Sequence, residues 1–200
     1  MYQNIEKMTK EQQIKNAGIY LTPTLISTIL PIVSLPIILR YLSPEEYGSY
    51  ALSLAFASVV IGFCQFSLLG VFERNFFAYK EEKKAQLLYT IVSFIFFITL
   101  IVGIIINLNQ GDLAAIFVRN REQGLLLFLV FCGWAIFTLN NYFLSYLKNT
   151  GNAKLNVGFT VSGNILGVLL NIYFVAVLQI GPLGLAVGLL LSNSLIFIIT

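Results

Sequence analysis

The stretch "LPIILRYLSPEEYGSYALSLAF", residues 35–56, is apolar, then briefly polar and charged, then apolar again. Ser43 fits the N-cap of a helix, and Pro44 fits the first helical position, where no N–H is needed. Glu46, three residues after Ser43, completes a capping box, and Glu45 adds a charge that the helix dipole favours. Arg40 precedes the turn, near the end of the first apolar run, where a long cation snorkels toward lipid headgroups. Tyr41, Tyr47 and Tyr50 suit a membrane–water boundary. The stretch therefore reads as a tight hairpin between two membrane-spanning helices.

The whole chain fits that reading. Its 200 residues are 58% hydrophobic and only 10% charged, where a soluble domain carries about 25% charge. Mean hydropathy is +0.84. A span needs about 20 largely apolar residues, and six runs qualify: 17–42, 44–72, 87–107, 124–147, 157–179 and 183 to the end. The expected fold is all-α, a polytopic bundle of six transmembrane helices, residues 17–200, behind a cytoplasmic leader of residues 1–16. The first run is long and Pro-rich, without a clear small-x-small cleavage site, so it reads as a retained helix rather than a signal peptide. The sixth run is still apolar at Thr200, so the chain reads as the front part of a longer protein.

The loop "NLNQGDLAAIFVRNREQG", residues 107–124, is the longest, with room for a short interfacial helix, and "IGPLG", residues 180–184, is a turn with Pro182 just ahead of the sixth helix. With the N-terminus cytoplasmic, the inner segments hold Lys7, Lys10 and Lys15, then Arg74, Lys80, Lys83 and Lys84, then Lys148 and Lys154. Only Arg40, Arg119 and Arg121 fall outside, as the positive-inside rule requires. The expected location is the bacterial cytoplasmic (inner) membrane, multi-pass.

Several function classes lose support on composition. The chain has no His, which removes the usual general base and most zinc or iron sites. Cys64 and Cys132 lie inside apolar runs and read as packed thiols. A net charge of +3 is too small and dispersed for a nucleic-acid reader. No cofactor, metal or catalytic residue is expected. No Asp, Glu, Lys or Arg falls at the centre of a span, where ion-coupled pumps usually keep one.

Polar residues inside the spans are the candidates for function. The first run contains Pro23, Pro31 and Pro36, and Pro31 and Pro36 leave the carbonyls of Ser27 and Ile32 without their usual partners. Thr24, Ser27, Thr28 and Pro31 share a face. This is either a kinked helix whose hydroxyls bond their own backbone, or a bending helix that lines a wet cavity, with the three prolines as hinge. The fifth run carries Thr160, Asn164, Gly167 and Asn171 on one stripe. Gly163 and Gly167, and Gly184 and Gly188 in the sixth, have small-xxx-small spacing. The fourth carries Asn140, Asn141 and Ser145, and the second Ser58, Gly62 and Gln65. The amides are either interhelical glue or the lining of a polar path; because amides are costly in hydrocarbon, the four stripes are expected to converge on a central cavity. In "FERNFFAYKEEKK", residues 72–84, Arg74 is either a positive-inside anchor beside Glu73 or a guard at a cavity mouth that grips phosphate through its planar fork. The candidate substrate-binding set is Arg40, Arg74, Gln65, Asn140, Asn141, Asn164 and Asn171.

A Lys-bearing leader with "KNAGIYL" (residues 15–21), "ILRYLSPEEYGSYAL" (38–52), an Arg after the second run, "YLKNTGNAKLN" (146–156) and "GPLGLAVG" (181–188) together resemble the polysaccharide transporters of the MOP flippase superfamily. The spacing Arg40-x-Leu42-x-x-x-x-Tyr47-Gly48 is the most specific part. The resemblance implies twelve to fourteen helices in two pseudo-symmetric lobes, this chain being the N-terminal lobe. It implies alternating access that moves an undecaprenyl-pyrophosphate-linked oligosaccharide between leaflets. A polysaccharide polymerase and a chain-length regulator are the expected partners, besides the lipid bilayer. Family cavities tend to be cationic, whereas here only Arg40 and Arg74 approach the membrane portion. The alternatives are a related drug or cation antiporter, a membrane-embedded glycan-assembly enzyme, for which Asp112, Arg119, Arg121 and Glu122 are thin material, and an assembly subunit.

Overall fold

In hydrocarbon every backbone N–H and C=O needs a partner within the protein, which leaves the helix as the economical form for apolar runs. A computed structural model describes the backbone of residues 10–200, and the side chains from residue 23 onward except residues 24, 81 and 82. Residues 1–9 of the expected leader, and the side chain of Thr24, lie outside this description. The described residues are helical, with no strand. The helices are α1 (Lys10–Ile38), α2 (Pro44–Gln65), α3 (Leu68–Phe76), α4 (Glu81–Leu108), α5 (Gln110–Phe117), α6 (Gly124–Asn149), α7 (Ala153–Ile172) and α8 (Pro182–Ile199). Five helical stretches are long and apolar enough to cross a membrane, in α2, α4, α6, α7 and α8, and Leu25–Ile38 of α1 is a shorter apolar stretch.

The local reading of the hairpin holds. The Glu46 N–H donates to Ser43 Oγ at 3.2 Å, and the Ser43 N–H donates to Glu46 Oε2 at 2.8 Å. Pro44 opens α2. Arg40 lies in the turn itself, two residues beyond the end of α1. The short helix expected in the longest loop is α5. Pro182 is the first residue of α8 rather than a residue ahead of it.

The second apolar run departs from expectation. Residues 44–72 are not one helix: α2 stops at Gln65, and Phe66 (φ 45°) and Ser67 (φ 55°) both adopt the left-handed conformation before α3 begins. Neither is a glycine, so each position costs about 1–3 kcal/mol and persists only because its surroundings enforce it. A second irregularity ends α7, where Tyr173–Val177 form a π-turn closed by the Leu178 N–H on Tyr173 O at 3.0 Å.

α6 is the central helix, with α2, α4, α5 and α8 packed around it. Phe131, Val130, Leu126 and Leu127 are buried there against Phe56, Ala57 and Ile61 of α2. At the other end of α6, Leu139 and Tyr142 pack with Phe72 and Phe76 of α3 and with Leu88 to Ile95 of α4. α1 stands apart from this core. It packs along α7, and α7 packs on α8. α7 and α8 run antiparallel with their small residues in register. A Cβ on Gly163 would meet Ile196 at 3.2 Å, one on Gly167 would meet Ser192 Oγ at 3.4 Å, and one on Gly184 would meet Phe174 at 3.1 Å. In lipid the drive for association is close packing rather than exclusion of water, and small residues permit it.

Candidate functional site

Beyond the hairpin that joins them, the described parts of α1 and α2 barely approach one another. α1 rests on α7, α7 on α8, and α8 touches α2. The four helices therefore form the sides of a trough that is open between α1 and α2. Its hairpin end is sealed by an apolar cluster to which each side contributes. Ile38 ends α1, Leu42 lies in the hairpin, Val175 sits in the π-turn after α7 and Leu185 lies in the first turn of α8; all are buried, with Tyr47 and Tyr50 of α2 packed against them. The tight fit of Gly184 against Phe174 and Val175 brings α8 onto the π-turn at this seal.

Polar groups lie along the seams between these helices. Asn164 Nδ2 donates to Ser27 Oγ at 2.7 Å, joining α7 to α1. Asn171 places Oδ1 over Gly188, where a Cβ at position 188 would overlap it. Asn140 Nδ2 donates to the Asn193 carbonyl at 2.9 Å, joining α6 to α8. Gln65 Nε2 donates to Thr138 Oγ1 at 3.4 Å, joining α2 to α6. Asn141 is half-buried on α6. Three of the five candidate amides thus bond across helix junctions and a fourth packs into one, the arrangement of interhelical glue. Tyr47, Leu54, Ser58 and Gln65 recur at steps of seven and four, so they share one flank of α2; Tyr47 on that flank meets the seal. Ser58, Gly62, Phe66 and Ser67 also border a shallow, open concavity that ends at the helix break.

The prolines of α1 are accommodated without ending the helix, which runs through Pro23, Pro31 and Pro36. Pro31 and Pro36 are exposed, while Ser34 and Ile38 are buried on the packed side. Local hydroxyls take backbone carbonyls here: Ser27 Oγ donates to Pro23 O at 2.6 Å and Ser34 Oγ to Pro31 O at 3.1 Å. Ser27 therefore bonds its own backbone, as the kinked-helix reading expects, and its oxygen also accepts from Asn164 across the seam with α7.

The two candidate arginines are not brought together. Arg40 sits in the hairpin at the sealed end, and Arg74 in the last turn of α3 beyond the other end of α2. The 22 residues of α2 alone span roughly 33 Å at 1.5 Å per residue. One phosphate group cannot meet both in this conformation. Both arginines are exposed.

A charged cluster that sequence reading passed over lies at the open end. Glu73 Oε1 accepts from Ser145 Oγ at 2.9 Å and from Lys148 Nζ at 3.4 Å, joining α3 to α6. The Glu73 and Lys148 side chains are 44% and 51% exposed, so the ion pair contributes only about 0.2–1 kcal/mol. The bond from buried Ser145 is the more directional part. In the sequence Glu73 reads as the neighbour of Arg74; the only hint of its partner is that Ser145 and Lys148 are three apart on one helix face. In the long loop, Arg121 Nη2 and Asp112 Oδ1 form an exposed pair at 2.9 Å.

Compared with known proteins, the chain matches no family model, no curated protein and no solved structure.

Proposed function

We propose that the chain is one lobe of a two-lobe transporter that moves an undecaprenyl-pyrophosphate-linked oligosaccharide across the bacterial cytoplasmic membrane by alternating access. In this reading α1 is a sixth span, the N-terminus is cytoplasmic, and the sealed hairpin end faces outward. The observation that carries it is the trough: four helices closed at one end by Ile38, Leu42, Val175 and Leu185, and open between α1 and α2. A site that is shut on one side and open on the other is what alternating access requires, with the second lobe to rock against across the opening. The hairpin motif around Arg40, Leu42, Tyr47 and Gly48 supports the same family.

Arg74 is the residue we assign to the pyrophosphate as it enters, because a guanidinium grips phosphate in two places and Lys does not. Arg40, at the far end, meets the head group only where it leaves. Gln65 and Ser58 supply polar groups on the α2 flank between them. Deleting the gene in its host is expected to abolish surface polysaccharide and to accumulate lipid-linked repeat units on the inner leaflet, with both effects reversed by the plasmid-borne gene. Normal surface polysaccharide in the deletion strain overturns the assignment.

A further inference from the structure

α3 is mechanically separate from α2. Two consecutive left-handed residues, Phe66 and Ser67, stand between them, so the direction and rotation of α2 do not carry over into α3. What sets α3 is its far end. Phe72 and Phe76, one turn apart, are fully buried against α4 and α6 and fix which face of α3 is packed; beside them stands one polar contact with α6. The bond between Glu73 and buried Ser145, backed by Lys148, is directional.

Glu73 and Arg74 are consecutive, about 100° apart around the helix axis. Turning Glu73 onto α6 therefore turns Arg74 away from it. Arg74 is exposed there and makes no ion pair among the described residues. The same contact pairs Lys148, the cation at the end of α6, with a carboxylate. Of the two cations nearest to it on α3 and α6, Glu73 thus pairs with Lys148 and not with its chain neighbour Arg74.

We propose that Glu73 is a positioning residue: through Ser145 and Lys148 it fixes the rotation of α3 and presents Arg74 to an anionic head group. The role of Arg74 rests on the function proposed above; the clasp itself does not. The test uses the full-length protein in membranes, with insertion and protein level checked first. Glu73→Leu is expected to raise amide hydrogen exchange across residues 68–76 about tenfold, since a hydrogen bond to a charged group is lost, and to lower glycan export to the level of Arg74→Gln. The exchanged pair Glu73→Lys with Lys148→Glu is expected to recover both measures. If Glu73→Leu does not insert, Ser145→Ala removes one bond only and carries the same two measurements. Wild-type exchange in residues 68–76 overturns the clasp. Raised exchange with normal export, while Arg74→Gln fails, overturns the positioning role. Normal export by Arg74→Gln removes the substrate role of Arg74, and exchange then still decides whether Glu73 holds α3.

Discussion

Asn171 of α7 seats its side-chain oxygen in the notch that Gly188 leaves in α8, with its backbone N 3.1 Å from where a Cβ on Gly188 would stand. The oxygen has no N–H or O–H partner, and it occupies the space that a side chain at position 188 would need. The contact continues the antiparallel register set by Gly163, Gly167 and Gly184. Gly188→Ala is therefore expected to destabilise the bundle by about 1–3 kcal/mol through overpacking. Gly62→Ala is the control, because nothing lies within 4 Å of its added Cβ. Thermal unfolding of the purified protein in detergent, followed by size-exclusion fluorescence, separates the two; equal melting temperatures would refute the register.

Ser67→Gly tests whether the helix break is enforced from outside. Glycine adopts the left-handed conformation freely, so the substitution relieves strain without moving the break. Stability is expected to rise by about 1 kcal/mol. Ser67→Ala keeps the strain and is expected to give no gain. A Ser67→Gly protein less stable than wild type would mean that the conformation is not strained at all.

Replacing Pro31 and Pro36 together with Ala restores two backbone N–H donors in α1. Both prolines are exposed, so packing against α7 is not disturbed and membrane levels are expected to stay normal. If α1 bends as the trough opens and closes, the stiffened helix impairs glycan export several-fold. Wild-type export would reduce the prolines to tolerated features of a static wall.

Orientation is measured with single cysteines. In a background lacking Cys64 and Cys132, Asn120→Cys is expected to react with a membrane-impermeant maleimide on intact cells, and Lys83→Cys only after permeabilisation. The two positions lie at opposite ends of α4 and the loop that follows it. The reverse pattern would invert the proposed topology and place the sealed end of the trough inside.

Features governed by neighbours in the chain were legible from the residues alone. The capping box of Ser43 and Glu46 needs only four consecutive residues, and it occurs as read. Long apolar runs without backbone partners in lipid must be helical, and the helices α6 and α8 begin and end within about two residues of the runs that predicted them, while α4 begins earlier and α7 ends earlier than its run. The small-residue spacings on α7 and α8 were visible too, although not that they face each other. Tertiary structure decided the rest. No glycine or proline marks Phe66 and Ser67, because the break there is held by contacts elsewhere: Gln65 on Thr138, the Phe66 ring 6.4 Å from that of Phe94, and α3 on α6. Ser145 and Lys148 became partners of Glu73, 72 and 75 residues away, through packing that no local pattern encodes. The candidate amides are distributed over several seams instead of one cavity, because Asn164 meets α1, Asn171 and Asn140 meet α8, and Gln65 meets α6. That choice between partners is a competition among close-packed surfaces, which only the assembled bundle resolves.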